Sequence, residues 1–541
     1  MTGVVGVHVG QAGVGTGEAM WDLLRREHGI MDSGYIHQES TPNGAPNAHK
    51  VMFQGVAPEK YSQKAVFMDT DPRTMDNVVS GPQGRLLQRG AAVSGRESTN
   101  GLYTCAKRQS GPEMAPTVME NVRKLTEAEN GSPEGFLFTH SMAGGTGSGL
   151  TADMMDRLKE EYPKSNQVQL AVFPEQELKS KDSLFGFYNA GLMLKDTLDD
   201  PRTVILVDNP GVFRVLNSRS LKPINGNFLR SANQLLAHVA SALTACTRFD
   251  GTSPILLGDL EAFLVPTNNL RFSTAAINPI SQGYHNWNGN RNGNDNGNRN
   301  GNGNGNRNGN GNGRGNGYGN GMQPDKMETR DVTTGCFDPC AQLNSAAAVK
   351  GEPVISSSLV YRGENDKNEI NRSIHQAVNQ YDVRFGEGSH KGFKVGLAET
   401  APSLVPFQEH KKANTSAALF LNTTALAVPF SYLNEVLQAM LDRRTNLHYY
   451  LENGEEMNDF SQAKDSLDMI VNEYKQHRGS NCPPCPPCIN NNQVEQRELP
   501  RNWSYSYGVE GDVFNCNDVS ELRQYACKCY RCYGSPPCPT R

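Results

Sequence analysis

Two short glycine-rich stretches, GQAGVGTG (10–17) and AGGTGSG (143–149), are the parts of this chain best suited to chemistry. Each follows an apolar, β-branched run and opens a segment with helical periodicity. Glycine lets consecutive backbone N–H groups point at one place, and the N-terminus of a following helix adds partial positive charge, so each turn can cradle a phosphate. Two such cradles point to a di- or triphosphate. Neither contains GxxxxGK[ST], so the lysine-based P-loop mechanism is excluded, and phosphate charge must be met by backbone dipoles and a metal. A further run, KAVFMD (64–69), leads into Asp69-Thr70-Asp71. Two carboxylates at a strand terminus, where open α/β sheets bind ligands, suit a hydrated Mg2+.

These residues need a scaffold, and residues 1–215 supply the pattern of one. Short β-branched runs alternate with helical stretches, as in a doubly wound α/β sheet. Expected strands are VVGVHVG (4–10), KAVFMD, GFLFTH (135–140), VQLAVF (168–173) and TVILVD (203–208). Residues 230–247 place Leu235, Leu236, Val239, Leu243 and Cys246 on one helical face, predicting a helix that bridges to a second unit. That unit, residues 216–401, is expected to mix strands and helices, with PVISSSLVYRG (353–363) and GFKVGL (392–397) as its clearest strands. Residues 402–478 read as helical; Phe460, Ala463, Leu467, Ile470 and Tyr474 form an apolar stripe. Residues 287–322 are almost wholly Asn and Gly, with nothing to bury against the entropy cost of ordering, which predicts a disordered loop.

Length and composition set the outer bounds. At 541 residues the chain is expected to form two or three globular units. A formal net charge of -5 with 20% charged residues favours neither nucleic acid nor an anionic membrane as partner. The N-terminal apolar run is short and lacks a basic leader, so it reads as a buried strand rather than a signal peptide, and no apolar run approaches bilayer length. Of the twelve cysteines, Cys105, Cys246, Cys336 and Cys340 precede Gly479 and the rest follow it. That is not the density of a disulfide-stapled secreted fold. The tail from 479 to 541 carries CPPCPPC and CKCYRC; paired thiolates there could grip Zn2+, but the spacing is not a standard finger and the plainer reading is a reduced or lipidated tail.

The ordered blocks HVGQAGV, EHGI (27–30), THSMAGGTGSG (139–149), TRFDG (247–251), CFDP (336–339), YRGE (361–364), GFKVG (392–396) and NTTALA (422–427) resemble tubulin segments in tubulin order. The resemblance implies a three-part fold, GTP on the first part, alpha–beta heterodimers, and protofilaments that associate into microtubules in the cytoplasmic cytoskeleton. It places Gly10, Gln11 and Ala12 at the first phosphate turn. Asp69 and Asp71 match the magnesium-side acidic pair, with Asp71 in place of the usual glutamate, and Asn100 joins the nucleotide contacts. Ser141, Ala143, Gly144, Gly145, Thr146 and Gly147 match the tubulin signature, Ala143 standing where the family has a glycine. Asn209 and Asn233 match the asparagines that read sugar and guanine. Departures are Ser98 for an aspartate, Leu229 (beside Phe228) for the base-stacking aromatic, and a longer loop at 175–187 with no glutamate just before Tyr188-Asn189.

Within the family the chain resembles alpha-tubulin most. The spacing between RFDG and LVP is preserved and puts Asp259 at the glutamate that alpha supplies in trans to the nucleotide of the neighbouring beta-tubulin, with Glu261 two residues on. A carboxylate that orients water contributes on the order of 10²–10⁴-fold. Pro254 and Leu256 replace the asparagine and aspartate that accompany this acid, so an ordinary exposed loop acid is the competing reading of Asp259. The loop between Gly396 and Asn422, with Pro402 and Pro406, has the long alpha form. The Asn/Gly insertion follows Pro279, in the loop that makes sideways protofilament contacts in the family, and the acidic alpha tail is replaced. Both features favour the alternative of a specialised tubulin-like protein that binds GTP outside the microtubule wall. An independent hydrolase is disfavoured, because no carboxylate able to act on the chain's own GTP is visible.

Overall fold

The computed structural model describes residues 3–36, 47–127, 132–175, 181–198, 202–218, 227–280, 327–348, 351–386, 392–402 and 413–478. The Asn/Gly insertion, the Cys-rich tail and residues 403–412 of the loop between Gly396 and Asn422 lie outside these residues.

In chain order the first half contains β1 (Val4–Val9), α1 (Gly10–Glu27), the hairpin β2 (Phe53–Ala57) and β3 (Lys60–Gln63), β4 (Ala65–Asp69), α2 (Pro72–Ser80) and β5 (Ala92–Ser94). There follow α3 (Tyr103–Cys105), α4 (Gly111–Glu127), β6 (Gly135–Ser141), α5 (Gly145–Glu161), β7 (Asn166–Val172), α6 (Lys181–Thr197), β8 (Thr203–Val207) and α7 (Asn209–Ser218). The strands pair in the order β8-β7-β6-β1-β4-β5, and every pairing in that run is parallel. Parallel sheets have both faces covered, and the apolar runs β1, β4 and β8 are buried at every residue. Alternation divides them: Val4 faces the core built on α1, whereas Val5, Val7 and Val9 face the core built on α4 and α5.

The second half contains α8 (Phe228–Leu243), α9 (Ala245–Arg248), α10 (Leu257–Leu264), β9 (Phe272–Asn278), α11 (Thr329–Cys336), β10 (Val354–Gly363), α12 (Lys367–Tyr381), β11 (Lys394–Ala398) and β12 (Thr415–Thr423). It ends with α13 (Ala427–Asp442), α14 (His448–Glu452) and α15 (Met457–Gln476). Strand β9 runs antiparallel to β12, β12 antiparallel to β10, and β10 parallel to β11. A short parallel pairing of Val204 and Ile205 with Phe272 and Ser273 continues the sheet from β8 into β9.

The bridging helix differs from expectation in one respect. Its apolar face is buried as predicted, but the helix ends at Leu243 and restarts at Ala245, because Thr244 turns its hydroxyl onto the carbonyls of Ala240 and Ser241. In α15 all five residues of the predicted stripe are buried. Full burial of each large member is worth about 1.5–3 kcal/mol, which ties the last helix to α6 and α13.

Candidate functional site

The C-terminal ends of the parallel strands form one edge, and four of the residues singled out by sequence lie along it. Asp69 ends β4, Gly10 follows β1, Ser141 ends β6, and Asn209 lies two residues beyond β8. Ser141, Val172 and Val207 are in register across β6, β7 and β8. At about 4.8 Å per strand, this edge spans roughly 19 Å from β4 to β8.

The two glycine turns touch. Gly10 has φ +69, a left-handed conformation, and a Cβ on it would lie 3.0 Å from the backbone nitrogen of Gly147. Both constraints demand glycine there. The first turns of α1 and α5 carry no acidic residue, and neither N-cap, Val9 or Gly144, supplies a side-chain hydrogen bond. Gln11, Ala12 and Gly144 are exposed at this junction. Two helix starts without side-chain caps, pressed together and open at Gln11, Ala12 and Gly144, suit an anion with more than one phosphate.

A buried relay fixes the first turn. The Trp21 indole donates to Nε2 of His8 (2.8 Å), Nδ1 of His8 lies 2.7 Å from the Thr139 hydroxyl, and that hydroxyl donates to the Gly13 carbonyl (2.8 Å). Indole can only donate, so the imidazole proton is assigned to Nδ1 and the ring is neutral. Burial holds its pKa down at about 3.

Ala143 lies outside the positive-φ residues, so its methyl is the mild departure and not the strained one. Its N–H donates to the Ser141 hydroxyl, and its carbonyl accepts from Asn189 Nδ2 at 2.8 Å. Asn100 adopts a left-handed φ of 50 and is exposed, with its N–H donating to Ser98 Oγ. Gly101 and Leu102 then cross so close to α5 that a Cβ on Gly145 would meet them at 2.4 Å. Three segments therefore converge on Thr146, whose hydroxyl lies 2.8 Å from that of Thr70 and 3.2 Å from that of Thr99.

Asn233 faces the second turn of α1, accepting from Thr16 Oγ1 at 3.3 Å. Asn209 begins α7 and donates to Glu175 at 2.7 Å. Glu175 thus brings a carboxylate onto Asn209 from outside the position just before Tyr188, while the end of the expected 175–187 loop is helical, as α6 begins at Lys181. Leu229 is 50% exposed, as is Phe213, whose ring lies 6.1 Å from that of Phe228. Phe213 is one turn beyond Asn209 on α7, a helical spacing that could have flagged it.

Asp69 is buried, and burial raises its pKa even though the Asp71 N–H donates to it at 3.3 Å. Asp71 is exposed and caps α2 by accepting from Arg73 N. Among the described residues no group of three or more His, Cys, Asp or Glu side chains is arranged to hold a metal. The pair nonetheless fits a hydrated cation shared with phosphate: two hard oxygen donors beside the cradle, one of them a desolvated carboxylate that a cation would relieve.

Asp259 is elsewhere. It is exposed in the first turn of α10, where its carboxylate accepts from Leu256 N at 3.0 Å and so helps to cap the helix. The start of α10 lies against the N-terminal ends of the strands: Leu257 N and Thr247 Oγ1 donate to Glu134, just before β6, and Gly258 abuts Asn166 at the start of β7. The seven residues of β6 separate that end from the glycine turns by roughly 20 Å. Glu261 is half-buried on the same helix, and burial raises its pKa to about 7.

A family model described as the Tubulin/FtsZ family GTPase domain matches residues 3–217, and one described as the tubulin C-terminal domain matches residues 320–435. The tubulin alpha-3 chain of Saccharomyces cerevisiae (strain ATCC 204508 / S288c) is 27% identical over 478 residues, which cover 88% of this chain and 97% of that protein. Among the described residues no helix is long and apolar enough to cross a membrane. With its touching glycine turns, its parallel sheet and both matched domains in order, the chain has the tubulin fold and belongs to the tubulin family.

Proposed function

We propose that this chain is an alpha-tubulin-like, GTP-binding structural subunit of cytoplasmic microtubules that pairs with beta-tubulin. The observation that carries this reading is the placement of its two functional ends on opposite edges of one sheet. The phosphate cradle occupies the C-terminal edge, and Asp259 the N-terminal edge roughly 20 Å away. An acid so placed is out of reach of the chain's own nucleotide and available to that of a neighbour stacked head to tail.

In this reading Gly10, Gln11, Ala12, Gly144, Gly145, Thr146 and Gly147 hold the phosphates with backbone N–H groups. Asn209 and Asn233 read sugar and base. Asp69 and Asp71 hold the water shell of Mg2+, which supplies the positive charge that a P-loop lysine gives elsewhere. Asp259 orients water at the partner's nucleotide; its capping bond leaves a second oxygen for that task. The same capping bond, with the Asn/Gly insertion, favours the second reading, a GTP-binding tubulin relative outside the microtubule wall.

Purification of a tagged full-length copy tests both. The subunit reading expects stoichiometric beta-tubulin and bound guanine nucleotide, and polymer containing Asp259→Asn is expected to retain GTP that the wild type hydrolyses. Nucleotide without beta-tubulin, and diffuse signal with no filaments, leaves the second reading in its place.

A further inference from the structure

Helix α10 starts at the N-terminal edge of the sheet, and one carboxylate oxygen ties it there. Oε1 of Glu134 accepts from the N–H of Leu257, the first residue of α10, at 3.1 Å and from the Thr247 hydroxyl of α9 at 3.3 Å. Glu134 is half-buried, and its own backbone is held from both sides. Its N–H donates to the Gly3 carbonyl (2.8 Å), just before β1. Its carbonyl accepts from the N–H (3.1 Å) and from Nδ2 (3.0 Å) of Asn166, the first residue of β7. Two helices of the second half are thus tied to a residue stationed where β1, β6 and β7 begin.

The two adjacent amides at the start of α10 answer to different carboxylates. Leu256 N donates to Asp259, which belongs to α10 and moves with it, so this bond shapes the turn without locating it. Leu257 N donates to Glu134, which belongs to the sheet, so this bond fixes where the turn lies, and Asp259 is only two residues on. Buried Leu257, Leu260 and Leu264 hold the apolar face of α10, but apolar burial is non-directional and leaves sliding and rotation to be set by hydrogen bonds. A carboxylate at a helix start is also favoured by the helix dipole.

An acid that works on a neighbouring subunit's nucleotide must be located relative to the edge that the neighbour meets. Misplacement by about 1 Å can cost on the order of 10²-fold in rate.

We propose that Glu134 is a positioning residue for GTP hydrolysis, fixing the first turn of α10, and through it Asp259, to the N-terminal edge of the nucleotide-binding sheet. This rests on the reading in which Asp259 acts in trans at the nucleotide of beta-tubulin.

Full-length protein is copolymerised with beta-tubulin and GTP, and phosphate release is measured per unit of polymer. Glu134→Ala is expected to lower that rate by roughly tenfold or more while polymer mass and bound nucleotide stay at wild-type levels. Glu134→Gln keeps an acceptor oxygen for the Leu257 N–H and is expected to restore the rate. In an Asp259→Asn background, Glu134→Ala should cost nothing further, because the two residues act as one unit. Thr247→Val removes only the hydroxyl donor and is expected to give a smaller fall, which keeps the test open if Glu134→Ala does not fold. A wild-type rate per polymer in every folded variant overturns the positioning role, as does a loss of polymer that accounts for the whole loss of rate. Wild-type hydrolysis in Asp259→Asn polymer, or no copolymer at all, overturns the in-trans reading itself, and the role of Glu134 with it.

Discussion

Glu27 is almost fully buried between two guanidiniums, 2.7 Å from Arg248 and 2.6 Å from Arg362, and it also accepts from the Ser241 hydroxyl. Burial by itself would raise its pKa; the two arginines override burial and hold the carboxyl well below the usual range. Burial lowers the pKa of Arg248 to about 10, so it keeps its charge at neutral pH and needs the carboxylate as its counter-ion. Glu27→Gln is expected to destabilise the fold by about 3–5 kcal/mol, since removal of one partner strands the others in a dry core. Urea unfolding of wild type and variant at neutral pH measures this, and a difference under about 1 kcal/mol would show that the arginines find other partners. The residues belong to EHGI, TRFDG and YRGE, three blocks legible in the sequence as family signatures. Nothing in the sequence indicates that they meet on one carboxylate.

Helix α6 carries the most consequential junction between elements. Asn189 is fully buried and uses every hydrogen-bonding position of its amide. Its oxygen accepts from Tyr103 N (2.9 Å) and from the Tyr450 hydroxyl (2.7 Å), while its nitrogen donates to the carbonyls of Gly101 and Ala143, both at 2.8 Å. One side chain thus ties the second glycine turn and the Asn100 loop to α14 of the C-terminal helices. Asn189→Ala leaves the buried Tyr103 N–H and the carbonyls of Gly101 and Ala143 without this partner, while the Tyr450 hydroxyl keeps the Phe185 carbonyl, with an expected loss of about 2–4 kcal/mol. Hydrogen exchange at Tyr103 should speed up relative to β1, whose amides are paired within the sheet. Equal protection in the variant would mean that the loop is held by α5 alone. The length and stripe of α15 were readable from helical periodicity, but this junction was not, because it joins residues more than 200 positions apart.

For the molecule as a whole, buried histidines set the response to acid. Burial lowers the pKa of His8 to about 3 and of His140 to about 4, against 6.5 when exposed, and His28 and His238 are lowered as well. The unfolded chain therefore takes up protons below pH 6.5 that the folded chain refuses, so stability falls as pH drops from 6.5 toward 4. Each fully buried histidine contributes roughly 1.4 kcal/mol per pH unit across that window. Glu261, raised to about 7 by burial, with Asp69 and Asp208 also raised, works in the opposite sense but is outnumbered between pH 6.5 and 5. The stabilising share of Glu27 is present above about pH 4.5 and is lost below it. Urea midpoints should decline from pH 7 to pH 5; a flat profile would contradict neutral burial of these rings.

By itself the sequence determined the fold class, the order of the parallel strands' apolar runs, both glycine turns and the membership of a family. These features are local: periodicity, glycine spacing and contiguous blocks are each set by neighbours within a few turns of chain. Tertiary structure alone decided that Gly10 meets Gly147, that Thr70, Thr99 and Thr146 share hydrogen bonds, that Glu175 reaches Asn209, and that Asp259 lies across the sheet from the cradle. Those facts depend on which strand lies beside which and on where each strand ends. A chain position carries no record of its distance from another until the sheet has assembled.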